Sequence, residues 1–208
     1  MAASMSSLDF YFDYSSPFAY LAATQIERVA QEKNAAINYK PFLLGALFKD
    51  IGTPIVPLFS FNAPKQKYYQ RDMQLWAQHW GVPLNQPSIF PLNTVKPLRL
   101  TLVALEKDPQ AARRLISSIY AAFWVNGKDI SSEEVLASLL AEANCPEEWL
   151  ACIATPEIKE ALKTATTQAV ERGVCGAPSI DVEGYLFWGQ DRLDFVSKVL
   201  DGWQPKIG

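Results

Sequence analysis

The sequence predicts an α/β protein: a βαβ unit opens the chain, an αββα unit closes it, and a block of helices is inserted between them. Three observations predict this. Strand-type residues alternate in only four places, two near each end. Helical periodicity with recognisable start and stop signals fills the middle. The first two strands lie about 35 residues apart with one helix between them, the spacing of a parallel βαβ crossover.

Taken in order, "LDFYF" (8–12) is the first strand and runs into the turn formers Asp13, Ser15 and Ser16. A helix is expected from Pro17 to about Lys33, with Leu21, Ala22, Ile26, Val29 and Ala30 on one face and Glu27, Arg28, Gln31 and Glu32 on the other. "AAINYKP" (35–41) reads as the second strand. "GTPIVPLFSFNAP" (52–64) reads as a long proline-rich loop. Helices are expected over about 64–80, 94–106, 109–125 and 146–153, and another after Ser131, which with Glu134 has the spacing of a capping box. Thr155 caps a helix with Pro156 in its first turn, and Gly173 ends it. "PSIDV" and "YLFWG" form a hairpin around Glu183-Gly184, and "QDRLDFVSKVLDGW" is the last helix. Neither end can bury its faces alone. Residues 1–43 and 155–208 are therefore expected to close into one discontinuous sheet domain, with 44–154 as a helical insertion domain.

Composition excludes several classes of function. The chain has 208 residues, 49% of them apolar, and a net charge of −3, so it can bury a core. No basic cluster offers a nucleic-acid surface. The longest apolar run, "YAAFWV" (120–125), is too short to span a bilayer. "MAASMSSLDF" lacks the basic-then-apolar pattern of a secretory signal, so a cytoplasmic location is expected. Three cysteines without a C-x-x-C, and a single histidine, argue against a disulfide framework or a metal site. His79 is expected to be structural or solvent-facing; Cys175, three residues before Pro178, could approach a site there, but a buried inert thiol is the expectation.

The order β-α-β, helices, α-β-β-α matches the thioredoxin fold with an all-helical insertion. In that fold, Ser16 falls where the reactive group sits, and Ala177-Pro178 falls where a cis-proline faces it. "FYFDYSSPFAYLA", "LLGALFKDIG", "KYYQRDMQLWAQHWGVPL" and "GAPSIDVEGYLFWGQDRLDFV" together resemble 2-hydroxychromene-2-carboxylate isomerases and kappa-class glutathione transferases, which have a DsbA-like thioredoxin fold. "SPF-x-Y" and "FWGQDR" are the most specific pieces.

The resemblance implies glutathione as cofactor, a small aromatic carboxylate as substrate and a homodimer. It implies a reversible addition of the glutathione thiolate to an opened, unsaturated keto acid, rotation about the former double bond, and elimination. Such a thiol has a pKa of about 8.5, and lowering it by two units needs about 2.7 kcal/mol. A helix start supplies roughly 0.3–1 kcal/mol, nearer 2 when partly buried. A donated hydroxyl adds on the order of 1.5–3 kcal/mol. Taken alone, Ser16-Pro17 reads as an ordinary helix cap with a first-turn proline; the resemblance makes Ser16 the catalytic residue.

The resemblance further implies glutathione contacts at Ser16, Pro17, Phe18, Thr53, Ala177, Pro178, Trp188, Gly189, Gln190 and Asp191. Ala177 would offer its backbone like an added strand, and Asp191 would pair with an ammonium. Thr53 stands where some relatives carry asparagine. Lys49, Asn62, Lys65 and Phe90 are candidates for the substrate or its carboxylate, and each also reads as a surface or core residue. A kappa-type transferase is the alternative activity. A non-catalytic glutathione-binding module is a further one, and a thiol–disulfide oxidoreductase is disfavoured by Ser15, Ser16 and Ala19 where a C-x-x-C would lie.

Overall fold

Four strands form a single sheet in the computed structural model, which describes residues 6–206. β1 (Ser7–Phe12) and β2 (Ala36–Pro41) run parallel, β3 (Ser179–Val182) is antiparallel to β1, and β4 (Tyr185–Trp188) is antiparallel to β3, giving the order β2-β1-β3-β4. β1 is central, and Leu8, Phe10, Tyr11 and Phe12 are all buried, as a strand covered on both faces requires. β3 and β4 join through Glu183 and Gly184, both at positive φ (53° and 83°). That is the backbone of a two-residue hairpin, which only Gly, Asn or Asp adopt at low cost, and Glu183 is the exception here.

α1 (Pro17–Glu32) connects β1 to β2 and packs against α4 (Ala63–Trp80), α6 (Pro109–Trp124) and the last helix, α10 (Leu193–Leu200). Between β2 and β3 lie α2 (Leu44–Asp50), α3 (Pro57–Ser60), α4, α5 (Val95–Lys107), α6, α7 (Glu133–Glu142), α8 (Trp149–Cys152) and α9 (Pro156–Glu171). α5 and α9 pack on β2 and on one another. An aromatic stack ties the sheet to these helices. Phe10 lies on Phe12, Phe12 meets Tyr14 edge-on at 5.5 Å, and Tyr14 meets Tyr120 of α6 at 4.8 Å. The buried Tyr14 hydroxyl bonds Thr101 of α5 at 2.6 Å, and Trp124 of α6 donates to the Tyr14 carbonyl at 2.8 Å. The turn after β1 is thus pinned to two helices that follow it by some ninety residues or more.

Several local expectations change. α2, and α3 inside the proline-rich loop, are helices the sequence reading did not assign. The Ser131–Glu134 capping box does not form: Ser131 N–H and Oγ both bond Asp129 Oδ1, so the helix starts at Glu133 behind Ser132. The 146–153 helix shrinks to a single turn, Trp149–Cys152. "QDR" is a 3₁₀ turn ahead of α10, so Gln190 and Asp191 precede that helix.

Candidate active site

The turn between β1 and α1 builds the site. Ser16 is the N-cap of α1, its backbone extended (φ −92°, ψ 117°) and its N–H donated to the Asp13 carbonyl at 3.1 Å. Its Oγ accepts from Ala19 N–H at 3.2 Å and donates to the Ala177 carbonyl at 2.7 Å. Pro17 has no N–H to give. Of the first-turn amides, Phe18 N–H therefore remains as the donor open to an anion. Ser16 is 6% exposed and lines a cleft of about 1070 Å³.

Asp13 fixes that turn. It is 1% exposed, and its carboxylate accepts from Ser15 N–H and Ser15 Oγ, both at 2.9 Å, and from Leu44 N–H at 2.8 Å. Burial pushes its pKa above the usual carboxylate range, against the pull of those bonds and of one from Thr94. One carboxylate thus holds together the starts of α1, α2 and α5.

Opposite Ser16, the Ala177–Pro178 bond is cis, as expected; the Phe90–Pro91 bond is also cis and was not foreseen. Ser179 Oγ donates to Gly176 O at 2.8 Å, and Gly189 N–H donates to Pro178 O at 3.0 Å. This brings the segments 175–178 and 188–192 onto one wall. Gly176 is there because of a close approach: a Cβ would lie 2.5 Å from Trp188 Nε1.

The cleft gathers Ser16, Pro17, Phe18, Thr53, Lys65, Phe90, Ala177, Pro178, Trp188, Gly189, Gln190 and Asp191. It does not gather Lys49 or Asn62. Lys49 is exposed in the last turn of α2, where a cation suits the helix dipole. Asn62 is the N-cap of α4, its Oδ1 taken by Lys65 N–H at 3.0 Å. His79 is exposed, edge-on to Trp76 and Trp80. Cys175 is a correction: its residue is exposed at the cleft, not buried. Partial desolvation nevertheless raises its thiol pKa, the opposite of an activated nucleophile.

Of the α4 residues in the cleft, the sequence reading named Lys65 alone and missed Tyr69, Asp72, Met73 and Trp76. Their spacing puts them on one helical face, and its mixture of charge and aromatic rings, unusual for a core face, was the available signal. Burial, and then the charge of Asp191, raise the Asp72 pKa, so the two carboxylates face the same space. Burial, with Asp72, pushes the Tyr69 hydroxyl up to about 12; it stays a neutral donor. The cleft's cations are Lys65, with Nζ 4.0 Å from the Phe61 ring centre, and Arg192, paired with Asp191 at 2.8 Å. Polar side chains such as Thr53, Gln86, Asn93 and Thr94 interrupt an otherwise largely apolar lining that includes Ile55, Leu92, Phe90 and Trp124. Such a site can hold a small peptide with carboxylates and an ammonium beside a flat apolar molecule. Among the described residues, no group of acidic, histidine or cysteine side chains is placed to hold a metal ion, and no helix is long and apolar enough to cross a membrane.

Comparison with known proteins follows the same lines. The family model described as a DSBA-like thioredoxin domain matches residues 7–201. A 2-hydroxychromene-2-carboxylate isomerase of Pseudomonas putida is 31% identical, covering 89% of this chain and 90% of its own. Glutathione S-transferase kappa 2 of Caenorhabditis elegans is 27% identical, covering 92% and 90%. A solved 2-hydroxychromene-2-carboxylate isomerase structure superposes with a TM-score of 0.85 at 25% identity, covering 94% of this chain and 95% of that one.

Proposed function

The chain belongs to the DSBA-like thioredoxin family, and from that premise we propose that it is a glutathione-dependent isomerase acting on 2-hydroxychromene-2-carboxylate or a similar aromatic keto acid. The observation that carries the reading is the Ser16 hydroxyl, sunk at the start of α1 beside the free Phe18 N–H and the Ala177 backbone. The donor set fits glutathione. Asp72 and Asp191 suit its ammonium, Arg192 suits a carboxylate, and Ala177 N–H has no partner among the described residues.

Glutathione, when bound, supplies a thiol that adds reversibly to a conjugated chain and so replaces one hard double-bond rotation by easier steps. The chain's own residues do the rest. Ser16 Oγ and Phe18 N–H donate to the sulfur anion and hold it deprotonated near neutral pH. Ala177 aligns the tripeptide backbone as an added strand would. Phe90, Trp124 and Trp188 supply the flat apolar wall for the aromatic ring, and Lys65 is the cation nearest to hand for its carboxylate. Cytoplasmic location, a role in aromatic catabolism and pairing of two copies belong to the same proposal and rest on the resemblance.

The test is turnover of 2-hydroxychromene-2-carboxylate with substoichiometric glutathione. Conversion of many equivalents with free glutathione recovered supports the isomerase. A conjugate accumulating in step with glutathione consumed supports instead a kappa-type transferase, which the likeness to the nematode protein favours as the second reading. No glutathione-dependent chemistry, with no glutathione bound, sinks both.

A further inference from the structure

One hydrogen bond reaches the cleft from behind its lining. Trp80, the last residue of α4, donates its indole N–H to Gln190 Oε1 at 2.9 Å. Gln190 lines the cleft and is 2% exposed. A glutamine amide has an acceptor at one end and donors at the other, of nearly equal size, and can turn over to suit its surroundings. An indole N–H only donates. A donor-only partner against a buried amide settles the matter: the carbonyl oxygen must face Trp80, and the NH2 group is left over. No described residue accepts from Gln190 Nε2.

The indole is itself held. Trp80 stacks on Trp76 with ring centres 5.9 Å apart and 27° between planes, and His79 meets it edge-on at 4.6 Å. Gly81 takes the left-handed conformation (φ 65°, ψ 30°) and ends α4 directly after it, so Trp80 sits on a terminated, rigid turn.

We propose that Trp80 is a positioning residue: it sets the polarity of the Gln190 amide so that the cleft presents a fixed N–H donor, and that donor reads the α-carboxylate of the γ-glutamyl group. The assignment rests on the proposed glutathione reading. Asp191 adjoins Gln190 in the chain and, with Asp72, suits the ammonium. In an amino-acid head group the carboxylate is one carbon from the ammonium, so a donor next to that acidic pair meets the carboxylate. An amide turned the other way would present its oxygen to that anion and repel it.

The experiment is a double-substitution cycle read by calorimetric titration with glutathione, using wild type, Trp80→Phe, Gln190→Met and the pair. Phe keeps a ring for the stack but removes the N–H; Met keeps the length but removes the amide. Trp80→Phe is expected to weaken glutathione binding about three- to tenfold, and Gln190→Met about tenfold or more. Adding Trp80→Phe to Gln190→Met is expected to change nothing further. A glutathione analogue lacking the γ-glutamyl carboxylate should bind all four proteins about equally. Proton NMR of the ligand-free protein supplies a readout independent of folding losses: the Trp80 indole N–H resonance should move upfield in Gln190→Met. If wild type binds glutathione but Trp80→Phe binds it as well, or loses as much affinity without Gln190 as with it, the positioning role is refuted. If wild type binds no glutathione, the functional reading falls, and this inference with it.

Discussion

Replacing Ser16 with alanine separates two jobs that one hydroxyl performs. In the folded protein Oγ accepts from Ala19 N–H at 3.2 Å and donates to Ala177 O at 2.7 Å. Losing the cap costs roughly 1 kcal/mol. Orphaning the carbonyl of Ala177, a residue only 9% exposed, adds a similar amount. In a chain of 208 residues the melting temperature should fall by roughly 4–8 °C. That loss follows whatever the protein does. The second effect tests function. If Ser16 donates to a sulfur anion, its removal forfeits on the order of 1.5–3 kcal/mol of preference for that anion. The pKa of the bound thiol then rises by about one to two units, and from a value near 6.5 the thiolate fraction at pH 7, and the rate with it, falls about three- to twenty-five-fold. The assay is isomerase rate against pH at saturating glutathione, paired with ultraviolet titration of the bound thiolate. If Ser16→Ala melts earlier but keeps the wild-type rate and thiol titration, Ser16 is only a cap and the mechanism is wrong.

Three other substitutions probe the surroundings. Asp13→Asn sets an NH2 group against Leu44 N–H or Thr94 and should cost about 1–3 kcal/mol in urea unfolding. Because burial raises the folded Asp13 pKa above its unfolded value, the native state binds more protons between the two. Asp13 therefore favours stability below its unfolded value and loses that contribution as pH rises through the folded one, so the gap to Asp13→Asn should widen toward acid; parallel pH profiles would overturn this. Gly176→Ala puts a Cβ 2.5 Å from Trp188 Nε1, and Trp188, 59% exposed, can swing outward. Stability should change by less than about 0.5 kcal/mol while the Trp188 indole resonance shifts and glutathione binds more weakly; an unmoved resonance would show that the wall gives way elsewhere. Ser16→Cys places a thiol at a helix start, where thiol pKa values fall. With glutathione disulfide it should form a mixed disulfide, releasing glutathione, faster than Cys175 does, as read by peptide mass; equal rates would mean the helix start does not favour anions.

The readable parts of this chain were those specified by neighbours in sequence. Ser16-Pro17, Thr155-Pro156 and Glu183-Gly184 each carry their cap or turn within a few residues, and each forms as expected. The capping box at Ser131 failed at the same range, because Asp129, two residues upstream, competes for the same hydroxyl. α2 escaped notice for a different reason. It has no side-chain cap of its own, and its first amide is satisfied by Asp13, thirty-one residues earlier. Asp72 and Tyr69 share a face whose mixture of charge and aromatic rings is visible in the sequence, but nothing local says that this face of α4 meets the cleft. Packing against α1 decides that. Lys49 and Asn62 erred in the other direction: nearness in sequence to the cleft loop did not bring their side chains into it.

Ser16 has one proton to give, and Ala177 O holds it in the free protein. Turning that proton toward a sulfur anion strips a buried carbonyl of its donor, a loss of about 1–3 kcal/mol that cancels most of the gain. The exchange becomes favourable only if another donor takes the place of Ser16 at Ala177 O. A peptide lying along Ala177 as an added strand brings that donor, its own N–H. The helix-start hydroxyl and the segment before Pro178 therefore act as one device, though 161 residues separate them. A thiol without a peptide group gains little from Ser16. In a rate comparison, Ser16→Ala should slow the reaction supported by glutathione and leave that supported by a simple alkyl thiol nearly unchanged. Equal losses with both thiols would break the link between the hydroxyl and the strand-like binding of the tripeptide.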